Sequence, residues 1–119
     1  MTDYGPYSVH PLADAFPLIE GEEFALLVKD IKNNGLGTPI VLSPDRSTIV
    51  DGRNRYRACT EATVDPIFHT LPASYSDEQI IDYIVSENLR RRDLNAGQRD
   101  FLALEVESHY AQAAKARQV

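Results

Sequence analysis

Two short runs carry the side chains best suited to bind a phosphate group, and the first spans residues 52–57, Gly-Arg-Asn-Arg-Tyr-Arg. Glycine between a strand and a helix lets an anion approach the backbone N–H groups at the positive end of the helix. Arg53 and Arg55 add planar guanidinium donors that match phosphate oxygens. The run therefore favours a phosphate cradle at Gly52. The alternative is a turn followed by a solvated helix face, because a single glycine is weaker than a full glycine-rich loop.

The second run spans residues 87–91, Glu-Asn-Leu-Arg-Arg. On a helix, Glu87 and Arg91 are four positions apart and Asn88 and Arg91 three apart, so all three share one face. A carboxylate, an amide and a guanidinium grouped in this way can hold a hydrated magnesium ion and the phosphates attached to it. The alternative is an ordinary ion pair near the end of a helix, which is common in folded proteins.

Apolar periodicity and turn residues predict the elements that position these runs. In order, these are a short strand at 7–10, a helix at 20–34 closed by a left-handed Gly35, a hairpin of strands 39–42 and 47–50, a helix at 53–62, a strand within 64–71, a helix from 76 to about 91 and a helix after 95–98. The last two helices begin with capping boxes, Ser76 with Gln79 and Asn95 with Gln98. The predicted fold class is α/β (α+β), a small mixed sheet with packed helices.

Three segments are expected along the chain. Residues 1–19 contain three prolines and should hold little regular structure beyond the short strand. Residues 20–94 form the predicted ligand-binding core. Residues 95–119 form a C-terminal helix.

Composition narrows the class of protein. The chain has 119 residues, 43% of them hydrophobic and 25% charged, which suits one folded domain. No apolar run has the length of a membrane span, no signal peptide is visible and there is one cysteine, so the expected location is the cytoplasm. A net charge of -6 disfavours non-specific binding to DNA by this chain alone. Two arginine clusters in an acidic chain suggest a small anionic ligand instead.

Other residues with reactive side chains have simpler explanations. Cys59 lies in an apolar stretch of predicted helix and is expected to be a packed core residue. The histidines are scattered along the sequence without metal-ligand spacing. Asp51 could contact a metal, act as a base towards an incoming hydroxyl or cap the helix that follows, and capping is the simpler expectation.

The two runs, in this order, resemble those of the ParB N-terminal domain family, also described as the ParB/sulfiredoxin superfamily or ParB-like nuclease domain. Family members carry Gly-Leu, Pro-Ile-Val, Gly-Glu-Arg-Arg-Tyr-Arg-Ala and Glu-Asn-Leu-Gln-Arg followed by Asp-Leu-Asn-Pro. The matching stretches here are residues 35–36, 39–41, 52–58 and 87–95. The resemblance covers about residues 20–105, and its last stretch is the most specific.

The resemblance implies a nucleotide-binding regulatory module of a ParB-like DNA-binding protein that acts in plasmid or chromosome partition or in transcription. The ligand would be CTP, or another nucleoside triphosphate, with Mg²⁺. Phosphate ligands would be Gly52, Arg53, Arg55, Asn88 and Arg91, and metal ligands would be Glu87 and Asn88. Family members close as dimers around DNA when the nucleotide binds, so a homodimer is a further expectation. By the same resemblance, the helix of residues 95–119 would lead to a DNA-binding domain absent from this chain. Enzymatic activity would be at most slow nucleoside triphosphate hydrolysis.

The chain departs from the family pattern at three positions near the cradle. Arg53 replaces the family's glutamate, Asn54 replaces the first arginine of its pair, and Thr38 replaces a glutamine. Arg53 could supply the positive charge that Asn54 lacks. Two alternatives therefore stay open: a phosphotransferase of the same fold acting on a small hydroxyl substrate, and an interaction domain with a degenerate site. Sulfiredoxin activity is disfavoured, because that enzyme's cysteine would stand where Arg53 does.

Overall fold

The fold is a four-stranded mixed sheet with helices on both faces. The structure is a computed structural model that describes residues 4–91 and 94–117, without the side chains of residues 89–91 and 117. The elements are β1 (Ser8–Val9), α1 (Pro11–Ala15), α2 (Gly21–Asn34), β2 (Ile40–Leu42), β3 (Thr48–Asp51), α3 (Arg53–Ala62), β4 (Phe68–Thr70), α4 (Asp77–Arg91) and α5 (Ala96–Arg117). The predicted fold class, a small mixed sheet with packed helices, is confirmed.

The strands lie in the order β1-β3-β2-β4. β2 and β3 form the predicted hairpin and pair antiparallel, whereas β1 runs parallel to β3 and β4 runs parallel to β2. Alternation along a strand sends neighbouring side chains to opposite faces. Val41 and Val50 accordingly join the cluster beneath α1, α4 and α5, while Ile40, Leu42 and Ile49 pack on the other face.

The prediction of little regular structure before residue 20 is wrong beyond the short strand, because α1 occupies Pro11–Ala15. Proline suits the first turn of a helix, where its missing N–H has no intrahelical acceptor. The Nδ1 atom of His10 accepts a hydrogen bond from the N–H of Leu12 at 3.1 Å and caps the helix. Leu12 and Phe16 are buried, so this segment belongs to the main core.

The capping boxes predicted for the last two helices are confirmed. The backbone N–H of Gln79 donates to Ser76 Oγ at 3.2 Å, and the N–H of Ser76 donates to Gln79 Oε1 at 2.8 Å. The same exchange joins Asn95 and Gln98, at 2.8 and 3.0 Å. Gly35 closes α2 with a positive φ of 76°, but its ψ of 178° lies outside the predicted left-handed helical conformation.

Within the described part of the chain, α4 and α5 included, no helix is both long and apolar enough to cross a membrane.

Candidate functional site

The junction of β3 and α3 has the geometry that the first run predicts. Gly52 is the N-cap of α3, with φ 99° and ψ 21°, a left-handed conformation that glycine adopts without strain. The N-cap residue is a glycine and has no side chain with which to cap the helix, so the capping role expected of Asp51 stays a prediction. The first N–H groups of a helix have no intrahelical acceptor and face the positive end of the helix dipole. The junction therefore presents donors suited to an anion.

Arg55 lies directly over this junction. Its Nη2 atom donates to Asp51 Oδ2 at 3.0 Å and to the carbonyl oxygen of Pro39 at 2.9 Å. A Cβ atom at Gly52 would stand 2.8 Å from Arg55 Nη2, so only glycine allows this approach. The Nε atom of Arg55 is buried and has no hydrogen-bond partner among the described residues. A buried N–H in that state is costly, whereas the two Nη2 bonds hold the guanidinium beside the cavity that Arg55 lines.

The second run reaches the same place from α4. Glu87 and Asn88 line a cavity together with Gly52, Arg53 and Arg55. The side-chain amide nitrogen of Asn88 donates to the carbonyl oxygen of Ile84 at 2.8 Å, one turn earlier in the helix. The side chain of Arg91 lies outside the described part of the chain, so its predicted contact with phosphate stays a prediction.

This cavity has a volume of about 210 Å³ and walls from four helices and one strand. Its lining residues are Ala13, Ile19, Glu23, Leu27, Ile49, Val50, Asp51, Gly52, Arg53, Asn54, Arg55, Glu87 and Asn88. Pockets that enclose a drug-sized ligand usually measure roughly 300–1,000 Å³. The cavity is therefore sized for a phosphate chain, and a nucleoside attached to that chain would extend beyond it.

A magnesium ion fits this set of donors only in company with phosphate. No three His, Cys, Asp or Glu side chains of the described residues are grouped closely enough to hold a metal by themselves. Mg²⁺ is commonly bound through one or two carboxylates together with substrate phosphates and water. Glu87 and Asn88 meet that requirement, because they line the same cavity as the α3 N-terminus. Their assignment as metal ligands stays a prediction.

Arg53 lines the cavity and also has partners within the chain that the sequence does not predict. Its side chain is buried, with Nη1 2.9 Å from Asp14 Oδ1 and Nη2 donating to the carbonyl oxygen of Phe16. Burial lowers the pKa of the Arg53 guanidinium, and nearby Tyr4 and Asp14 oppose that shift. Contact between Arg53 and phosphate stays a prediction, and the structure gives its guanidinium a second role within the chain.

Sequence reasoning missed the wall that Ala13 and Ile19 contribute. Glu23 lies in the first turn of α2, where favourable charge at a helix start is the simpler explanation and a catalytic carboxylate of a kinase is the alternative, and it lines the cavity. Its contribution depends on how α2 packs against α3, which no local pattern reports. The expectation for Cys59 is confirmed, since it is 1% exposed and packs in the core. Burial raises the pKa of the Cys59 thiol, which disfavours the reactive thiolate.

A larger cavity of about 690 Å³ lies between α4 and α5, and apolar side chains dominate its lining. Its lining residues include Phe16, Val85, Leu94, Leu102 and Val106. Polar groups that converge on one point are the feature that distinguishes a ligand site from an apolar groove. The smaller cavity at Gly52 is therefore the candidate site.

Comparison with known proteins identifies the fold. No protein-family model and no curated protein matches the chain. Among solved structures, it is similar to the C-terminally truncated chromosome-partitioning protein ParB from Caulobacter crescentus, complexed with CTP-gamma-S. The TM-score is 0.60 at 23% identity over 76% of this chain. A Pnob8-like ParB-N domain gives a TM-score of 0.64 at 14% identity over 98% of this chain.

These similarities show that the chain has a ParB-N-like fold, as the sequence resemblance predicted. The matched regions amount to 52% and 48% of the two solved chains, so this chain spans about half the length of each.

Proposed function

We propose that this chain is a nucleotide-binding regulatory module of a ParB-like DNA-binding protein, with CTP and Mg²⁺ as its ligand. The observation that carries the proposal is a single cavity lined by both predicted runs, with Gly52 and Arg55 from the first and Glu87 and Asn88 from the second. A solved structure of the same fold is a ParB in complex with CTP-gamma-S. Each run predicts phosphate binding from its own sequence, and the presence of both runs in one cavity supports the proposal.

In this proposal the α3 N-terminus and Arg55 bind the phosphates. Arg55 is held over Gly52 by Asp51 and by the Pro39 carbonyl, with its buried Nε still without a partner in the described part of the chain. Glu87 and Asn88 hold Mg²⁺, which offsets the phosphate charge. Asn88 and Arg91 complete the phosphate contacts. Three carboxylates line the cavity, Glu23, Asp51 and Glu87, and they would repel a polyphosphate that carried no cation.

The setting of this module follows from the same proposal. DNA contact belongs to a region absent from this chain, since the net charge of -6 opposes binding to a polyanion. The protein acts in the cytoplasm, in partition or in transcription, and nucleotide binding favours a homodimer. Hydrolysis of the nucleotide is at most slow.

Calorimetric titration with CTP, ATP, GTP and UTP, each with Mg²⁺, tests the proposal. We expect one nucleotide, CTP, to bind with the highest affinity and Arg55→Ala to abolish that binding. Arg99→Ala is the matched control, because it removes an exposed arginine on α5 and should leave affinity unchanged. Failure of all four nucleotides to bind would remove the proposal in favour of an interaction domain with a degenerate site.

One observation favours a second candidate, a phosphotransferase acting on a small hydroxyl compound. Glu23 brings a carboxylate into the cavity from α2, and such a group can accept a proton from an attacking hydroxyl. Incubation with labelled nucleoside triphosphate and serine separates the two functions. Transfer of label to serine that disappears in Glu23→Gln would replace the regulatory function with this one.

A further inference from the structure

Residues 14–19 run from the last turn of α1 towards the start of α2, and both ends of this segment are fastened to the first turns of α3. At the first end, Arg53 bridges two groups, the carboxylate of Asp14 at 2.9 Å from Nη1 and the carbonyl oxygen of Phe16 through Nη2. Nη1 also approaches the carbonyl oxygen of Asp14 at 3.5 Å. The bridge therefore joins α3 to the last turn of α1 and to the residue that follows it.

At the second end, Asn54 and Arg57 hold the backbone of Ile19. The N–H of Ile19 donates to Asn54 Oδ1 at 3.2 Å, and its carbonyl oxygen accepts from Arg57 Nη1 at 3.1 Å. Arg57 Nη1 also donates to Asn54 Oδ1 at 3.0 Å, which fixes the orientation of the amide. The Arg57 guanidinium lies 4.3 Å from the ring centroid of Phe24 on α2, so the same contact reaches the next helix.

This arrangement places one wall of the cavity. Ala13, which precedes the fastened segment, and Ile19, which lies within it, line the cavity together with Arg53 and Asn54. Arg53 is 6% exposed and Asn54 9% exposed, so their polar groups need partners inside the protein. Moving the guanidinium of Arg53 from Asp14 and Phe16 to a phosphate would leave the Phe16 carbonyl without this donor and break a partly buried ion pair.

We propose that Arg53 and Asn54 are positioning residues that clamp segment 14–19 as a wall of the ligand cavity and set ligand affinity without contacting phosphate. Where the cavity takes CTP, this inference rests on the proposed function. The two departures from the family pattern beside Gly52, Arg53 and Asn54, then share one structural role, because both side chains hold the segment that precedes α2. The clamp itself is a property of the ligand-free protein, so it is tested separately from nucleotide binding.

Amide hydrogen exchange of ligand-free protein measures the clamp. In Asn54→Ala the N–H of Ile19 loses its acceptor, and we expect its exchange to be about tenfold faster than in the wild type. Asn54→Asp keeps an oxygen acceptor at the same place and should restore slow exchange. Equal exchange rates of Ile19 in all three proteins would overturn the clamp. This readout does not require a nucleotide, so a wild type that fails to bind CTP removes the proposed function without deciding the clamp.

A double-mutant cycle with Mg-CTP separates positioning from direct contact. Asp14 has a largely exposed side chain outside the cavity lining, yet Asp14→Ala should raise Kd about threefold, and Arg53→Lys about tenfold. The double variant should be no weaker than Arg53→Lys, because both substitutions break the same bridge. Asp65→Ala, which removes an exposed carboxylate between α3 and β4, should bind like the wild type.

Direct contact of Arg53 with phosphate gives the opposite pattern. Removing Asp14 would then free the guanidinium, and Asp14→Ala would bind Mg-CTP as tightly as the wild type or more tightly. That result, or additive losses in the double variant, overturns the positioning role.

Discussion

Gly52 and Arg55 set the shape of the candidate site. The left-handed backbone of Gly52 opens α3, and the guanidinium of Arg55 occupies the space that a Cβ atom at residue 52 would need. The two residues therefore depend on each other, because a side chain at position 52 displaces the donor that position 55 supplies. An arginine on a solvated helix face would show no such dependence, so the packing of Arg55 on Gly52 favours a ligand site over that alternative.

Substitution Gly52→Ala tests this dependence. The added Cβ would lie 2.8 Å from Arg55 Nη2, and a φ of 99° is strained for alanine. We expect a loss of about 1–3 kcal/mol in the free energy of unfolding and loss of measurable CTP binding. Urea unfolding and calorimetric titration measure the two effects independently.

Two other glycines in the chain provide controls for that experiment. Gly35 has a positive φ of 76° but no atom within 4 Å of an added Cβ, so Gly35→Ala introduces strain without a collision. Gly37 likewise has open space around an added Cβ, and Gly37→Ala should change little. Nucleotide affinity in Gly52→Ala equal to that in Gly35→Ala would show that the approach of Arg55 to Gly52 is unimportant.

At the scale of elements, features that depend on neighbours in sequence could be predicted and those that depend on distant contacts could not. Both capping boxes, the hairpin and the start of α3 follow from adjacent residues, and each is confirmed. α1 was missed because its five residues carry no helical period and begin with a proline. Its stability comes from burial of Leu12 and Phe16 against distant helices. The partners of Arg53 lie 37 and 39 residues away, beyond any local pattern.

The α4 capping box makes a measurable prediction about that helix. Ser76→Ala removes the oxygen that accepts from the N–H of Gln79, so we expect a loss of about 1 kcal/mol in the free energy of unfolding. Ser86→Ala is the matched control, because it makes the same chemical change at an exposed position within the same helix. Alanine is the better helix former there, so this control should gain a few tenths of a kcal/mol. Urea titration measures both values, and equal effects would contradict the cap.

The cap of α1 predicts a dependence of stability on pH. Burial lowers the pKa of His10 below the usual 6.5, His109 lowers it further, and Asp77 opposes the shift. Because the folded chain binds this proton less readily than the unfolded chain, the contribution of His10 is present above pH 6.5 and is lost as pH falls through the folded pKa. A protonated Nδ1 also cannot accept from the N–H of Leu12.

Urea unfolding at about pH 7.5 and about pH 5.5 measures this effect. We expect the wild type to lose stability at the lower pH and His10→Asn to lose less, since asparagine caps a helix without titrating. His69→Asn, at an exposed position on β4, should keep the wild-type dependence. If stability in His10→Asn depended on pH as it does in the wild type, the dependence would come from groups other than His10.

At the scale of the whole molecule, the candidate site joins elements that local sequence cannot bring together. α1, α2, β3, α3 and α4 each contribute to the lining of one cavity. The sequence could indicate which residues suit phosphate, because their chemistry is local. It could not indicate that Glu23 and Ile19 complete the wall, because their positions follow from how α2 packs on α3. A ligand held by all these elements stabilises the folded chain as a unit.

Thermal unfolding with and without nucleotide therefore tests the proposed function on the intact chain. Mg-CTP at about 100 times its Kd should stabilise the folded state by about 2.7 kcal/mol and raise the Tm by roughly 10 °C. Removing Mg²⁺ with EDTA should abolish most of the shift, because Glu23, Asp51 and Glu87 then face an uncompensated polyphosphate. Cytidine, which lacks phosphate, is the control and should leave the Tm unchanged. An equal shift with cytidine, or with CTP in EDTA, would contradict a magnesium-dependent phosphate site at Gly52.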